Sequence, residues 1–113
     1  MIEIKFSPDA IDDLLQVKTY IEEELCSAAA AQHTIEKIIS RIRMLSEFPQ
    51  VGTPLSSVVG FDTDYRCLVC GNYLAFYRYE QNQAYIVRVL YERRDYIRIL
   101  FRSDERDEGT PVD

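Results

Sequence analysis

Two helix-like stretches joined only by Cys26-Ser27 constrain the fold of this chain more than any other feature. Ser7 can cap a helix, Pro8 is tolerated in a first turn, and the negative charge of Asp9 favours the positive end of the helix dipole, so the first helix is predicted to begin there. It is predicted to end near Leu25. Ser27 can cap the second helix, and Phe48-Pro49 stops it. So short a link forces the two helices into an antiparallel hairpin. Their predicted core stripes are Ile11, Leu14, Leu15, Ile21 and Leu25, then Ile35, Ile38, Ile39, Ile42 and Leu45.

Strand-like segments flank the hairpin on both sides. Residues 2–6 alternate apolar and polar, which is typical of a short strand. After an irregular segment at residues 50–64, three more strands are predicted, at Tyr65–Cys70, Tyr73–Glu80 and Ala84–Tyr91, followed by a short helix within residues 93–102. The prediction is a two-layer α+β fold. An N-terminal strand precedes an antiparallel helix hairpin packed on a small antiparallel sheet, and a short C-terminal helix follows.

The turn between the first two strands of this meander decides which face carries Arg66. A two-residue turn at Gly71-Asn72 places Arg66 on the face opposite Leu74, whereas a three-residue loop places both on one face. The sequence leaves the choice open, and with it whether Arg66 and Arg78 share a face.

Length and composition exclude several classes of protein. One domain is expected over residues 1–102, with residues 103–113 as an acidic, flexible tail. No apolar run approaches the roughly 18 residues of a membrane helix, and no secretory signal is visible at the start. Three cysteines are an odd number and do not predict a disulfide framework, so a cytoplasmic protein is expected.

The charge is unevenly distributed. A net charge of −6 counts against a generic nucleic-acid binder. Residues 60–101, however, contain six arginines against five acids, between an acidic front half and an acidic tail. Arginine binds phosphates and carboxylates with two parallel hydrogen bonds, so a recognition surface is one interpretation. The other is a solvated sheet edge on which arginines pair with Asp and Glu.

Few residues form a catalytic or metal-binding pattern. Cys67 and Cys70 are three apart in a predicted strand, so they point to opposite faces and do not make a joint site. Cys26 and His33 would have to complete a zinc site, and buried free thiols are the favoured interpretation. His33 has no local nucleophile, and no glycine-rich phosphate loop is present. We therefore expect no metal and no cofactor.

The segment Arg88–Tyr96, at the exit of the last strand, is the strongest candidate site. Its Arg93-Arg94-Asp95 cluster can hold a phosphodiester or the carboxylates of a partner. Alternatively, Asp95 caps the last helix and the two arginines lie in water.

Taken together and in order, these motifs resemble the RelE/ParE superfamily of type II toxin–antitoxin toxins, over about residues 2–101. The exit of the last strand and the Phe-Pro-x-x-Gly break are closer to the ParE branch. The motifs that carry the resemblance are Ser7-Pro-Asp-Ala10, Glu47–Pro54, Tyr65-Arg66, Gly71-Asn-Tyr73, Phe76-Tyr-Arg78 and Ile86–Asp95.

The resemblance implies the toxin of a plasmid-stabilisation type of system, which arrests growth and is neutralised by a cognate antitoxin. Members of the ParE branch inhibit DNA gyrase and are not enzymes in that role. No membrane partner is expected. The arginines expected to bind the target are Arg66, Arg78, Arg88, Arg93 and Arg94.

Two other functions stay open. The RNA-cleaving branch acts on ribosome-bound messages. There, candidates for catalysis are Arg66, Arg78, Tyr91, Arg94 and Tyr96. That branch usually has arginine where Leu74 stands and histidine where Tyr91 stands, and tyrosine is a poor base because its pKa is about 10. The third hypothesis is a decayed, non-toxic relative that serves as an interaction module.

Overall fold

The structure, a computed structural model, describes residues 1–102; the predicted tail at residues 103–113 lies outside them. Five strands and three α-helices are followed by a short C-terminal helix, Arg98–Arg102. The strands are β1 (Glu3–Phe6), β2 (Thr53–Pro54), β3 (Arg66–Cys70), β4 (Tyr73–Glu80) and β5 (Gln83–Tyr91). The α-helices are α1 (Pro8–Leu25), α2 (Ala28–Arg43) and α3 (Ser56–Val59), and a 3-10 turn, Met44–Ser46, continues α2.

The α+β class, the helix hairpin and the β3–β4–β5 meander are confirmed, but the sheet is mixed. Its strand order is β1-β5-β4-β3-β2, and β1 runs parallel to β5 while the other neighbours are antiparallel. The prediction of a small antiparallel sheet is therefore wrong for β1. An alternating pattern fixes the faces of a strand and carries no information on the direction of its partner.

Both predicted helix caps form. Ser7 Oγ accepts a hydrogen bond from the Ala10 amide at 2.9 Å, and Ser27 Oγ accepts one from the Ala30 amide at 3.0 Å. α1 ends at Leu25, and Cys26 takes the left-handed backbone conformation, with φ of 49°, that reverses the chain. Local capping chemistry thus produces the tight hairpin.

The buried face of α1 differs from the predicted one. Ile11, Leu15 and Leu25 are 51%, 58% and 63% exposed, so they are not core residues. Leu14 packs against the core as predicted, and Val17, which was not predicted, packs there as well. A long helix on a narrow sheet can bury only part of a wide apolar stripe, which leaves the outer part of the α1 stripe uncovered.

The sheet has a core on each face. On the helix-hairpin face, Ile38 and Ile42 of α2 pack against Leu68, Ile86 and Val89. The second face was not predicted to be covered. There, residues 50–64 and the C-terminal helix build a second core. Residues 50–64 were expected to be irregular, but they contain β2 and α3. Its buried residues are Leu55, Phe76, Leu90 and Leu100.

The free edge of β5 is closed by side chains from the start of α1. β1 pairs with β5 only as far as Ile86. Beyond that point, Ser7 Oγ donates to the Val87 carbonyl at 2.7 Å, and Asp13 Oδ2 accepts from the Val89 amide at 2.9 Å. These bonds satisfy backbone groups that a neighbouring strand would otherwise pair, and they fix α1 beside the end of β5.

Candidate functional site

Arg66 has a structural role inside the fold. Cys70 pairs with Tyr73, so Gly71-Asn72 is a two-residue turn, and Arg66 lies on the face opposite Leu74. Its Nη1 atom donates to the carbonyls of Gln50 and Gly52 at 3.1 and 2.8 Å. The guanidinium therefore holds the loop before β2.

Arg78 lies on the other face of the sheet. Arg66 pairs with Tyr77, and Arg78 is the next residue along β4, so the two arginines do not converge. The exposed Arg78 lies 3.6 Å from an Asp64 carboxylate oxygen, and its guanidinium carbon stands 5.2 Å from the centre of the Tyr65 ring.

Arg88 is held by a carboxylate from α1. Its Nε and Nη2 atoms each donate to Asp13 at 2.8 Å, in a bidentate pair. These hydrogen bonds raise the pKa of Arg88 above its usual value, so it stays charged. Asp13 is buried and bonds the Val89 amide as well, which leaves little capacity for a ligand at either side chain.

The exit of β5 presents two exposed arginines, Arg93 and Arg94. Tyr91 is the exposed last residue of β5, and the exposed Arg93 and Arg94 follow the point where the Glu92 amide donates to the Asn72 carbonyl at 2.9 Å. Asp95 Oδ1 accepts from the Arg98 amide at 3.3 Å, as expected of a capping residue. Thus Asp95 caps the helix while Arg93 and Arg94 stay available.

Tyr96 belongs to the second core. Its ring lies 5.1 Å from the ring of Phe76, centre to centre. The residues considered for RNA cleavage are therefore divided between the two faces: Arg66 binds a loop on one face, whereas Arg78 and Tyr96 belong to the second face.

Tyr91 and Arg94 line a groove between α1 and the end of β5, which we call the tyrosine groove. Its volume is about 390 Å³. The rings of Tyr73 and Tyr91 meet edge to face with centres 5.7 Å apart. Burial, with smaller effects of Tyr91 and Tyr20, raises the pKa of Tyr73, so its hydroxyl stays protonated at neutral pH. The lining residues are Asp13, Gln16, Val17, Tyr20, Tyr73, Val89, Leu90, Tyr91 and Arg94.

A second groove, the basic groove, opens between α2 and the β3–β4 turn. Its volume is about 550 Å³, and Tyr73 lines both grooves. The lining residues are Ile21, His33, Thr34, Lys37, Ile38, Arg41, Cys70, Gly71, Asn72 and Tyr73. Sequence reasoning did not place Lys37, Arg41 and Tyr73 in a common groove. The four-residue spacing of His33, Lys37 and Arg41 along α2 was the available signal, because it places all three on one helix face.

The cysteines are divided between the two faces of β3, as predicted. Cys67 packs with the second core and Cys70 with the first. Burial raises the pKa of both thiols from 9.0 to about 11. Within residues 1–102, no group of three His, Cys, Asp or Glu residues is arranged to hold a metal ion. No helix in this range is long and apolar enough to cross a membrane.

A thiol-specific disulfide reagent should separate these cysteines. At pH 8 we expect one fast thiol per native chain, the exposed Cys26, and all three thiols in denaturant. Cys67 and Cys70 should react far more slowly, because they remain protonated and shielded. Their ionisation is easier in the unfolded chain, so stability should fall as the pH rises from about 9 to about 11. A Cys26→Ser variant that keeps a fast native thiol would contradict the assignment.

Comparison with known proteins agrees with this architecture. A family model described as "ParE toxin of type II toxin-antitoxin system, parDE" matches residues 4–96. A solved chain described as "Chromosomal ParDE TA system from P. aeruginosa" matches with a TM-score of 0.68 and 19% identity. The match covers 80% of this chain and 96% of the solved one. The comparison with curated proteins found no match. The resemblance inferred from the sequence motifs is confirmed, and this chain belongs to the ParE toxin family of type II toxin–antitoxin systems.

Proposed function

We propose that this chain arrests growth by inhibiting DNA gyrase, with Arg93 and Arg94 in contact with the target, and that a cognate antitoxin neutralises it in the cytoplasm. The observation that carries the proposal is the ParE family match over residues 4–96. Support from the structure comes from Arg93 and Arg94, which are exposed at the exit of β5.

The dispersal of its candidate residues argues against the ribonuclease alternative. RNA cleavage needs a proton acceptor and cations gathered around one phosphate. Arg66 is bonded to two loop carbonyls, Arg78 lies on the other face of the sheet, and Tyr96 packs on Phe76. Tyr91 and Arg94 line the tyrosine groove together.

Replacing both arginines should separate toxicity from folding. In a supercoiling assay with purified gyrase, an Arg93→Ala/Arg94→Ala variant should need about tenfold or more protein to give the inhibition of the parent chain. Its thermal unfolding should stay unchanged, because exposed charges contribute little to stability. Lys5→Ala/Arg43→Ala is a matched control, since it removes two exposed cations elsewhere.

The alternatives give different results in the same experiments. If the parent chain leaves the supercoiling activity of purified gyrase unchanged, gyrase inhibition is refuted. Growth arrest with cleaved ribosome-bound messages would replace it with RNA cleavage. Induced expression without any growth defect would favour a decayed interaction module.

The uncovered part of the α1 stripe is the surface that we assign to the antitoxin. Ile11 and Leu15 are one helical turn apart and both more than half exposed, and Leu25, which is 63% exposed, lies further along the same face of α1. Such a row fits an amphipathic helix laid across the hairpin, with acidic groups over the nearby arginines.

A charge in this row should abolish neutralisation while leaving toxicity intact. Leu15→Glu should remove the protection that co-expressed antitoxin gives, because the charge would be buried in the complex without a partner. Val58→Glu on α3 is the matched control, since Val58 is also 58% exposed and lies away from α1. Equal protection of the Leu15→Glu variant and the parent would place the antitoxin elsewhere.

A further inference from the structure

We propose that the tyrosine groove and the basic groove together bind a single strand of nucleic acid. The two grooves flank Tyr73 at one end of the sheet. Three cations from separate parts of the chain line them: Lys37 and Arg41 on α2, and Arg94 after β5. The inference needs neither gyrase nor an antitoxin, and so goes beyond the function proposed above.

The cations are placed to meet a phosphate backbone. Lys37 and Arg41 are four residues apart on α2, so they lie roughly 6 Å apart along the helix axis and face the same groove. Lys37 and Arg94 are exposed and form no ion pair with another residue of the range 1–102. Arg41 donates Nε to the Val69 carbonyl at 2.9 Å, which holds the guanidinium at the mouth of the groove.

The aromatic rings beside these cations favour nucleic acid over an acidic peptide. Tyr20 is 61% exposed and Tyr91 is 41% exposed, and both line the tyrosine groove next to Arg94. Exposed aromatic rings between cations are the arrangement on which bases of a single strand stack. Volumes of about 390 and 550 Å³ fall in the range of roughly 300–1,000 Å³ in which proteins hold small organic groups.

The net charge of −6 does not conflict with such a site. The one carboxylate that lines the tyrosine groove, Asp13, is neutralised by Arg88 through two 2.8 Å hydrogen bonds. Asp95, the exposed acid next to Arg94 in the sequence, lies with its Oδ2 atom 3.7 Å from Nε of Arg98, and Glu92 is exposed two residues before Arg94. The overall charge weakens non-specific attraction along the rest of the surface, so binding should be confined to this end of the sheet.

Binding of a labelled twelve-nucleotide single strand to the purified full chain tests the proposal. Three phosphate contacts predict a slope of about −2 for log affinity against log salt concentration. Lys37→Glu/Arg94→Glu and Tyr20→Ala/Tyr91→Ala should each weaken binding about tenfold or more. Lys5→Glu/Arg43→Glu makes the same change in charge as the first variant at exposed positions that line neither groove, and it should bind within twofold of the parent. Thermal unfolding verifies that each variant is folded.

The remaining probes separate nucleic acid from other polyanions. An abasic strand of equal length should bind at least tenfold more weakly, because it has no bases to stack. The affinities of a DNA strand and an RNA strand of one sequence show which of the two nucleic acids is preferred. Binding of either strand supports the proposed site. If polyglutamate binds as tightly as the strand, and the tyrosine substitutions do not weaken its binding, the proposal is overturned in favour of an acidic protein partner. Absence of any binding at low salt would overturn it outright, and neither result would bear on gyrase inhibition.

Discussion

Replacing Asp13 with Ala should lower the free energy of unfolding by about 3 kcal/mol, a large part of the 5–15 kcal/mol typical of a small domain. Asp13 is buried and accepts three hydrogen bonds, two from Arg88 and one from the Val89 amide. Its loss leaves a guanidinium and a backbone amide without their partner. The Arg88 side chain is 24% exposed, so water can solvate part of the charge that loses its partner. The expected loss of stability therefore lies near the lower end of the range for breaking a buried ion pair.

Urea denaturation of two further variants isolates the cause. Asp12→Ala changes an adjacent, exposed carboxylate that accepts a hydrogen bond from Gln16, and it should alter stability by about 0.5 kcal/mol or less. Asp13→Asn keeps one acceptor oxygen and should fall between the two. Equal losses in Asp12→Ala and Asp13→Ala would mean that the Arg88 pair does not stabilise the fold.

Asp13 also shows what the sequence could not reveal. The helix starts, the hairpin and the three-strand meander follow from residues close together in the chain, and these predictions hold. The partners Asp13 and Arg88 are 75 residues apart. Their pairing depends on where β1 ends beside β5, and hence on the parallel register that the alternating pattern did not predict.

The same limit separates the arginines. Arg93 and Arg94 remain exposed, in agreement with the sequence-based hypothesis of an available cluster. Arg66 and Arg88 donate hydrogen bonds to groups of the fold itself, which use part of their capacity to bind a target. The number of arginines indicates how many guanidinium groups could bind oxygen atoms of a ligand. Only the tertiary structure decides whether those groups already bind oxygen atoms of the protein itself. The spacing of Lys37 and Arg41 places them on one face of α2, but the groove that they line exists only where α2 meets the distant β3–β4 turn.

Replacing Gly52 with Ala is expected to destabilise the fold by about 3 kcal/mol, because overpacking of a buried site forces neighbours apart. A methyl group at this position would lie 2.6 Å from the Tyr77 hydroxyl oxygen, 2.7 Å from a ring carbon and 3.0 Å from the Cys67 carbonyl oxygen. The ring cannot retreat without cost. Its hydroxyl accepts from the Gly52 amide at 2.9 Å and donates to the Pro49 carbonyl at 2.8 Å, which anchors the loop before β2.

A comparison with Gly71→Ala distinguishes crowding from backbone strain. Gly71 has a φ of +64° and open space around it, so alanine there should cost only about 1 kcal/mol. Gly52 is not among the glycines with positive φ, so its loss should come from the contact with Tyr77. In a Tyr77→Phe background the 2.6 Å contact is absent, and Gly52→Ala should then cost less than it does in the parent chain. Additive losses in urea denaturation would contradict crowding by the hydroxyl, because independent sites add.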